Sequence, residues 1–262
     1  MSERLIVTVT FDNLGEVTEL ARGEWPDDQP LGRHFSVTRA LPRILGLLAE
    51  LDLRATFFVE GLNTKLYPET LMQIAGAGHE IGYHGWRHEE WAQLGRGQEA
   101  ELLERGVRAL DQLGVRPVGF RPPGGGLTRS SIDLLGELGF THCSPAGTGV
   151  SVVDGVTILP FGWPMVDAYH YLPRFAARRE HDGRPGAAAS PAQFAEDLRA
   201  ALDAAVAHGG HLSAVFHPFL TEPDERFDVL RGFLHAVRAL VDDGRAWCTP
   251  SRDVAQQIGQ AA

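Results

Sequence analysis

Short β-branched or aromatic runs alternate with longer segments of helical period along nearly all of this 262-residue chain, and that alternation constrains the fold more than any other feature. The strand candidates are residues 5–11, 55–59, 80–84, 118–121, 140–143, 157–161, 212–216 and 246–248. Between them lie helix candidates at 37–51, 68–77, 98–113, 128–138, 191–207 and 227–243. In the first of these, Val37, Leu41, Ile44, Leu45, Leu48 and Leu51 recur at i, i+3, i+4 spacing and form one apolar stripe. Strands separated by helices line up parallel, with the helices outside the sheet. Seven or eight such units in this length predict a closed or nearly closed barrel, so residues 1–262 read as one α/β barrel-like domain. Two Gly-, Pro- and charge-rich stretches, 23–35 and 175–191, interrupt the rhythm and read as long surface loops.

Charge and composition remove several classes of partner. A formal charge of -10 argues against a nucleic-acid surface, which needs a concentrated basic face. No polybasic patch or apolar run of membrane-spanning length is present, so no membrane partner is expected. The opening "MSERLIVTVTF" alternates like a strand and is not read as a signal peptide. Two cysteines, Cys143 and Cys248, are too few for a disulfide framework and read as small buried hydrophobes. Together these features predict a cytoplasmic protein.

In a parallel barrel, chemistry collects where strands end and the following loops begin. Read in that order, the chain offers Asp12 and Asn13, "FVEG" at 58–61, "HEIGYHGWRHEEW" at 79–91, "GFRPPGGG" at 119–126, "LPFGWPMVDAYHY" at 159–171 and "AVFHPF" at 214–219. Asp and Asn also close strands through ordinary turn chemistry, so the first pair gains meaning only from its distant companions. His84 and His88 stand four apart, a spacing that puts two imidazoles on one side of a helical turn and suits Zn, Co, Ni or Fe. A third ligand must come from another strand end, with Asp12 or Asn13 as donor. His217 leaves a buried strand and has the titration range of a general acid. Arg121 also ends a strand, and a buried arginine needs an anionic partner, for which Asp12 is the candidate. Trp86, Trp91 and Trp163 can wall a pocket, although large aromatics are core residues at least as often. His79 precedes its strand and is assigned a structural role. Glu89 and Glu90 are candidates for contacts behind the histidines. His34, His142, His170, His181, His208, His211 and His235 find no convincing partner in the sequence. No phosphate loop or serine-nucleophile elbow occurs.

Taken in order, "TFDN", "HGWRH", "FRPPGG" and "FHPF" resemble the first, second, third and fifth motifs of the polysaccharide deacetylase (NodB-homology) family. The resemblance runs from Leu5 to Ala255, and the stretches "GYHGWRHE", "LPFGWPMVDAYHY" and "FHPFLTEPDERFDVL" are most similar to the branch with intracellular-type peptidoglycan deacetylases, allantoinase-like enzymes and cyclic imide hydrolases. It implies a distorted (β/α) barrel that works as a homo-oligomer, often a tetramer. It also implies that Asp12 is the catalytic base, that Arg121 holds it, and that His217 is the general acid. His84 and His88 become ligands of a divalent metal such as zinc, and Asp167 corresponds to the acid of the fourth motif. Trp86, Trp163 and Asp167 are the candidates for the substrate pocket. The departure lies at position 13, where metal-bearing members place a second aspartate and this chain has Asn13. An asparagine offers a carbonyl oxygen without charge.

Three readings follow. The first is metal-assisted N-deacetylation of an acetamido sugar, oligosaccharide or related small amide, with Asp12 taking a proton from water and His217 giving one to the departing nitrogen. The second is a metal-independent opening of a cyclic amide such as an imide or ureide, which Asn13 supports and the histidine pair opposes. The third is a catalytically silent binding barrel, which the joint presence of Asp12, Arg121 and His217 disfavours.

Overall fold

The computed structural model describes residues 4–261, so the outermost residues of the expected domain, 1–3 and 262, lie outside the described residues. All eight expected strands form: β1 (Leu5–Asp12), β2 (Thr56–Val59), β3 (Glu80–Tyr83), β4 (Gly119–Phe120), β5 (His142–Cys143), β7 (Val156–Ile158), β8 (His211–Phe216) and β9 (Ala246–Cys248). A ninth, β6 (Ser151–Val153), is an exposed edge strand that was not expected. It pairs antiparallel with β7 across a turn in which Asp154 and Gly155 take φ values of 49° and 82°, the left-handed conformation a two-residue hairpin requires.

The sheet runs β6-β7-β5-β4-β3-β2-β1-β8, and apart from the β6–β7 hairpin every pairing is parallel. β9 pairs with the first half of β1, from Leu5–Ala246 to Val7–Cys248, and β2 takes over from Thr10. A single parallel bridge between Val166 and Val215 brings the segment after β7 against β8. The sheet therefore curls back on itself as the distorted α/β barrel that the alternation predicts.

β1 shows how the pleat divides labour. Leu5, Val7, Val9 and Phe11 are at most 2% exposed and join the core beneath the helices through Leu41, Ile44 and Leu48. Thr10 and Asp12 alternate to the opposite face and meet Arg121 inside the barrel. A strand buried on both faces reads as a near-continuous apolar run, which explains "LIVTVTF".

Two local expectations need correction. Residues 37–51 are not one α-helix: Ser36–Ala40 is a π-helical turn that leads into the helix Leu41–Glu50. Pro42 has no N–H to donate to the preceding turn, so the register widens there. The stretch 175–191 is not all loop, because Ala176–His181 is helical. It is tied down by the buried Arg179, which donates to the carbonyls of Tyr169, of Leu172 at 3.1 Å and of Gly186 at 2.6 Å. The stretch 23–35 does stay irregular, anchored where Glu16 accepts from the Gly32 N–H at 2.7 Å.

The last helix, Ser251–Ala261, closes the end of the barrel where the strands begin. Its Ser251 N–H donates to Thr56 Oγ1 at 2.8 Å, and its Arg252 N–H donates to Glu80 Oε2 at 2.9 Å. The opposite end, where the strands finish, is left for a site. Among the described residues no helix is long and apolar enough to cross a membrane.

Candidate active site

Asp12 is the last residue of β1, and Arg121 follows β4 directly. Arg121 Nη1 donates to Asp12 Oδ1 and to Thr10 Oγ1, each at 2.8 Å, while Nη2 donates to Ser144 Oγ at 2.9 Å. The guanidinium lies between the rings of Phe58 and Phe161, 4.3 and 5.0 Å from their centroids. It is 1% exposed and Asp12 5%, so water hardly screens this pair. One Asp12 oxygen is thereby fixed, and the carboxylate is aimed by a partner that cannot lose its proton.

Across the pocket His217 follows β8. Its Nδ1–H donates to Asp167 Oδ1 at 2.5 Å, and its backbone N–H donates to Asp167 Oδ2 at 2.7 Å. The ring orientation is set on both sides, and Nε2 is left as the nitrogen that can exchange a proton. This corrects the placing of Asp167 in the substrate pocket. It is 1% exposed and lies behind His217, with its other contact to the Ala168 N–H at the start of the helix Asp167–Tyr171.

The segment between His84 and His88 is not a helical turn. Gly85 and His88 both adopt left-handed φ values, 75° and 64°, and the Glu89 carboxylate accepts from the N–H groups of Trp86 and Arg87, each at 2.8 Å. Glu89 thus offers these backbone groups an alternative to helix. The two imidazoles nevertheless converge, with centroids 5.0 Å apart and planes at 75°. His84 Nδ1–H donates to the Arg121 carbonyl at 2.8 Å, which fixes the tautomer and leaves the Nε2 lone pair free. Burial drives the His84 pKa down to about 3 and pushes His88 well below its ordinary value, so both imidazoles are neutral.

Trp86 does not wall the pocket. It is buried away from the cavity, 3.8 Å from the Arg105 guanidinium, in a space left by Gly61, where a Cβ would stand 2.5 Å from its ring. Trp163 does line the pocket, edge-on to Phe161 at 5.5 Å. The cavity has a volume of about 330 Å³, and Asp12, His84, His88, Arg121 and His217 all contribute to its walls.

Asn13 has its amide committed elsewhere. Its Nδ2 donates at 2.6 Å to Oε1 of Glu60, whose other oxygen accepts from Asn63 Nδ2 at 3.0 Å. Glu60 is fully buried, and burial raises its pKa to about 8. Glu60 is a site-related residue to which its sequence context assigns no role. Its signal was the placement of an acid directly after the buried run "TFFV", where a carboxylate must find partners.

These donors define what a metal would meet. The two neutral imidazoles suit a borderline cation such as zinc, and the hydrogen bond from His84 to a carbonyl is the usual support of a metal-binding histidine. Asn13 would complete the set only through its uncharged Oδ1, since Nδ2 is held by Glu60. Among the described residues no three His, Cys, Asp or Glu side chains gather to hold an ion. The protein therefore offers a metal two converging neutral imidazoles, and Asn13 is not among the residues that line their cavity.

Residues 6–143, which carry Asp12, His84, His88 and Arg121, match the family model described as polysaccharide deacetylase. A crystal structure of a protein assigned as a polysaccharide deacetylase from Mycobacterium smegmatis is 30% identical and superposes with a TM-score of 0.82, covering 98% of this chain and 91% of that one. The peptidoglycan deacetylase of Helicobacter pylori is 32% identical over 118 residues, 45% of this chain and 40% of its own length. The chain thus spans less than half of that curated relative, and 31% of a second, an uncharacterised Bacillus subtilis protein that is 34% identical over 98 residues, 37% of this chain. An allantoinase crystal structure shares the fold, with a TM-score of 0.77 at 20% identity over 97% of this chain and 90% of its own.

Proposed function

The chain belongs to the polysaccharide deacetylase family, and from that premise we propose that it hydrolyses an amide C–N bond, removing the acetyl group from an acetamido sugar or a related small amide. The observation that carries this reading is the pair of oriented groups on facing walls of one pocket, Asp12 held by Arg121 and His217 held by Asp167. Asp12 accepts the proton of a water that attacks the acetyl carbonyl. His217 Nε2 delivers a proton to the nitrogen as the C–N bond breaks, so that an amine and acetate leave. Asp167 supports the imidazolium on the opposite nitrogen, and Arg121 holds Asp12 in place. A divalent cation such as zinc, held by His84, His88 and the oxygen of Asn13, would supply polarisation of the acetyl carbonyl and of the attacking water. The Trp163 and Phe161 rings offer an apolar wall to the rest of the substrate.

Opening of a cyclic imide or ureide is a second reading, favoured by the uncharged side chain at position 13. Free acetate from acetamido sugars supports the first, and ring-opened acids from cyclic imides without any acetate release support the second. Turnover of neither would overturn both. The two unpaired cysteines fit our further proposal of a reduced, cytoplasmic compartment, in which we also place a homo-oligomer.

A further inference from the structure

We propose that the substrate of this pocket carries an anionic oxyacid group, a carboxylate or a phosphate, held at the pocket mouth between Arg22 and Arg174. The proposal rests on the hydrolytic reading above and narrows its substrate class.

Exposed arginines on loops are usually only solvated. These two differ in where they converge. Arg22 ends the helix Val17–Arg22, and Arg174 sits in the short turn Pro173–Phe175, each at the edge of one of the long interruptions of the barrel. Both nevertheless line the same cavity as Asp12 and His217. Four arginines and two carboxylates face that cavity. Arg121 and Asp12 neutralise each other, and Arg178 is held by Asp182 at 3.3 Å. Arg22, Arg174 and Glu90 remain. Glu24 approaches Arg22 only to 4.0 Å and is itself 60% exposed. Arg174 lies over the Phe175 ring at 5.3 Å and forms no ion pair among the described residues.

The two arginines bear on each other. Burial, then the charge of Arg22, pulls the Arg174 pKa down, against the opposing charges of Glu24 and Glu90. Glu90 on the same wall offsets part of that charge, and four arginines against two carboxylates leave the lining with an excess of positive charge. In a chain with a net charge of -10, such a positive mouth is a local exception, the arrangement that draws an anion toward a cleft. Guanidinium forks match both carboxylate and phosphate oxygens. A neutral acetamido sugar would leave these groups unused.

Isothermal titration tests this with succinate, inorganic phosphate and the uncharged succinamide, on the wild type and on the Arg22→Ala, Arg174→Ala double variant. The wild type should bind succinate or phosphate and not succinamide, the tighter of the two anions naming the group. The double variant should bind that anion at least about tenfold more weakly. Equal binding of succinamide, no binding of either anion, or unchanged binding by the double variant would overturn the proposal. In turnover, the ratio of kcat/KM for a carboxylate-bearing acetamido compound to that for its neutral counterpart should fall about ten- to a hundredfold in the double variant. An unchanged ratio sinks the proposal and spares the hydrolytic reading. Arginine-dependent anion binding with no amide turned over sinks the hydrolytic reading and leaves the anion site standing.

Discussion

Asn13 Nδ2 lies 2.6 Å from Glu60 Oε1, and this one hydrogen bond decides what position 13 can be. The left-handed backbone there, φ 60°, suits aspartate as well as asparagine. What disfavours an aspartate is the fully buried Glu60 beside it, which accepts the Asn13 N–H and would have to share a proton with a second acid. Asn13 is therefore half of a matched pair with Glu60 rather than a lapsed metal ligand.

The pair is testable by a double-mutant cycle. Asn13→Asp alone removes the N–H that Glu60 accepts and puts two acids in one buried space, and should cost about 2–3 kcal/mol in chemical denaturation. Glu60→Gln, whose amide N–H can donate to the new Asp side chain at position 13, should restore most of that loss in the double variant. The coupling energy should be at least about 1 kcal/mol, and additive costs would show that the two positions are independent.

The same carboxyl gives stability a defined pH dependence in chelator-treated protein. His84, His79 and His211 have folded pKa values of about 3, 4 and 4 against an ordinary 6.5. Between pH 6.5 and about 4 the unfolded chain binds protons that the fold refuses, so stability falls as pH drops through that window. Glu60 works in the opposite sense: its folded pKa of about 8 against 4.5 means the fold keeps a proton that the unfolded chain releases, and stability falls as pH rises from 4.5 to about 8. Three histidines outweigh one glutamate below pH 6.5, so these groups place the highest melting temperature near pH 6.5. Glu60→Gln should flatten the decline from pH 6.5 to 8, and calorimetry across pH 4–9 reads both limbs. An unchanged decline in that variant would contradict the assignment.

Asp167 is a positioning residue, since it touches His217 and not the pocket. Asp167→Asn should lower kcat by about 10²–10³-fold with little change in KM, because the tautomer and the imidazolium both lose their support. A rise in KM at constant kcat would return Asp167 to the substrate pocket.

Much of this site is legible in the sequence because its groups end strands. Asp12, Arg121 and His217 each follow a buried apolar run, and the strand-end rule for parallel barrels brings them together. Glu60 was harder to read, since its meaning lies in a contact between the loops after β1 and β2, and only the register that sets Asp12 beside Phe58 makes that contact visible. Asp167 was misplaced because its approach to β8 runs through a short helix and one isolated bridge, which leave no periodic trace. The helix Ala176–His181 was hidden by the glycines and prolines that follow it, and its order depends on the long-range bonds of Arg179. The β6–β7 hairpin did have a signal, the Asp154-Gly155 dipeptide, which went unread beside an exposed edge strand.

In the proposed reaction Asp12 and His217 act as base and acid on one amide. Release of acetate from an acetamido substrate of the wild type, compared with Asp12→Asn, tests it most directly. The kcat of Asp12→Asn should fall by at least about 10²-fold while the variant, which still offers Arg121 an acceptor oxygen, stays folded. A folded Asp12→Asn protein that releases acetate at the wild-type rate would contradict Asp12 as the base.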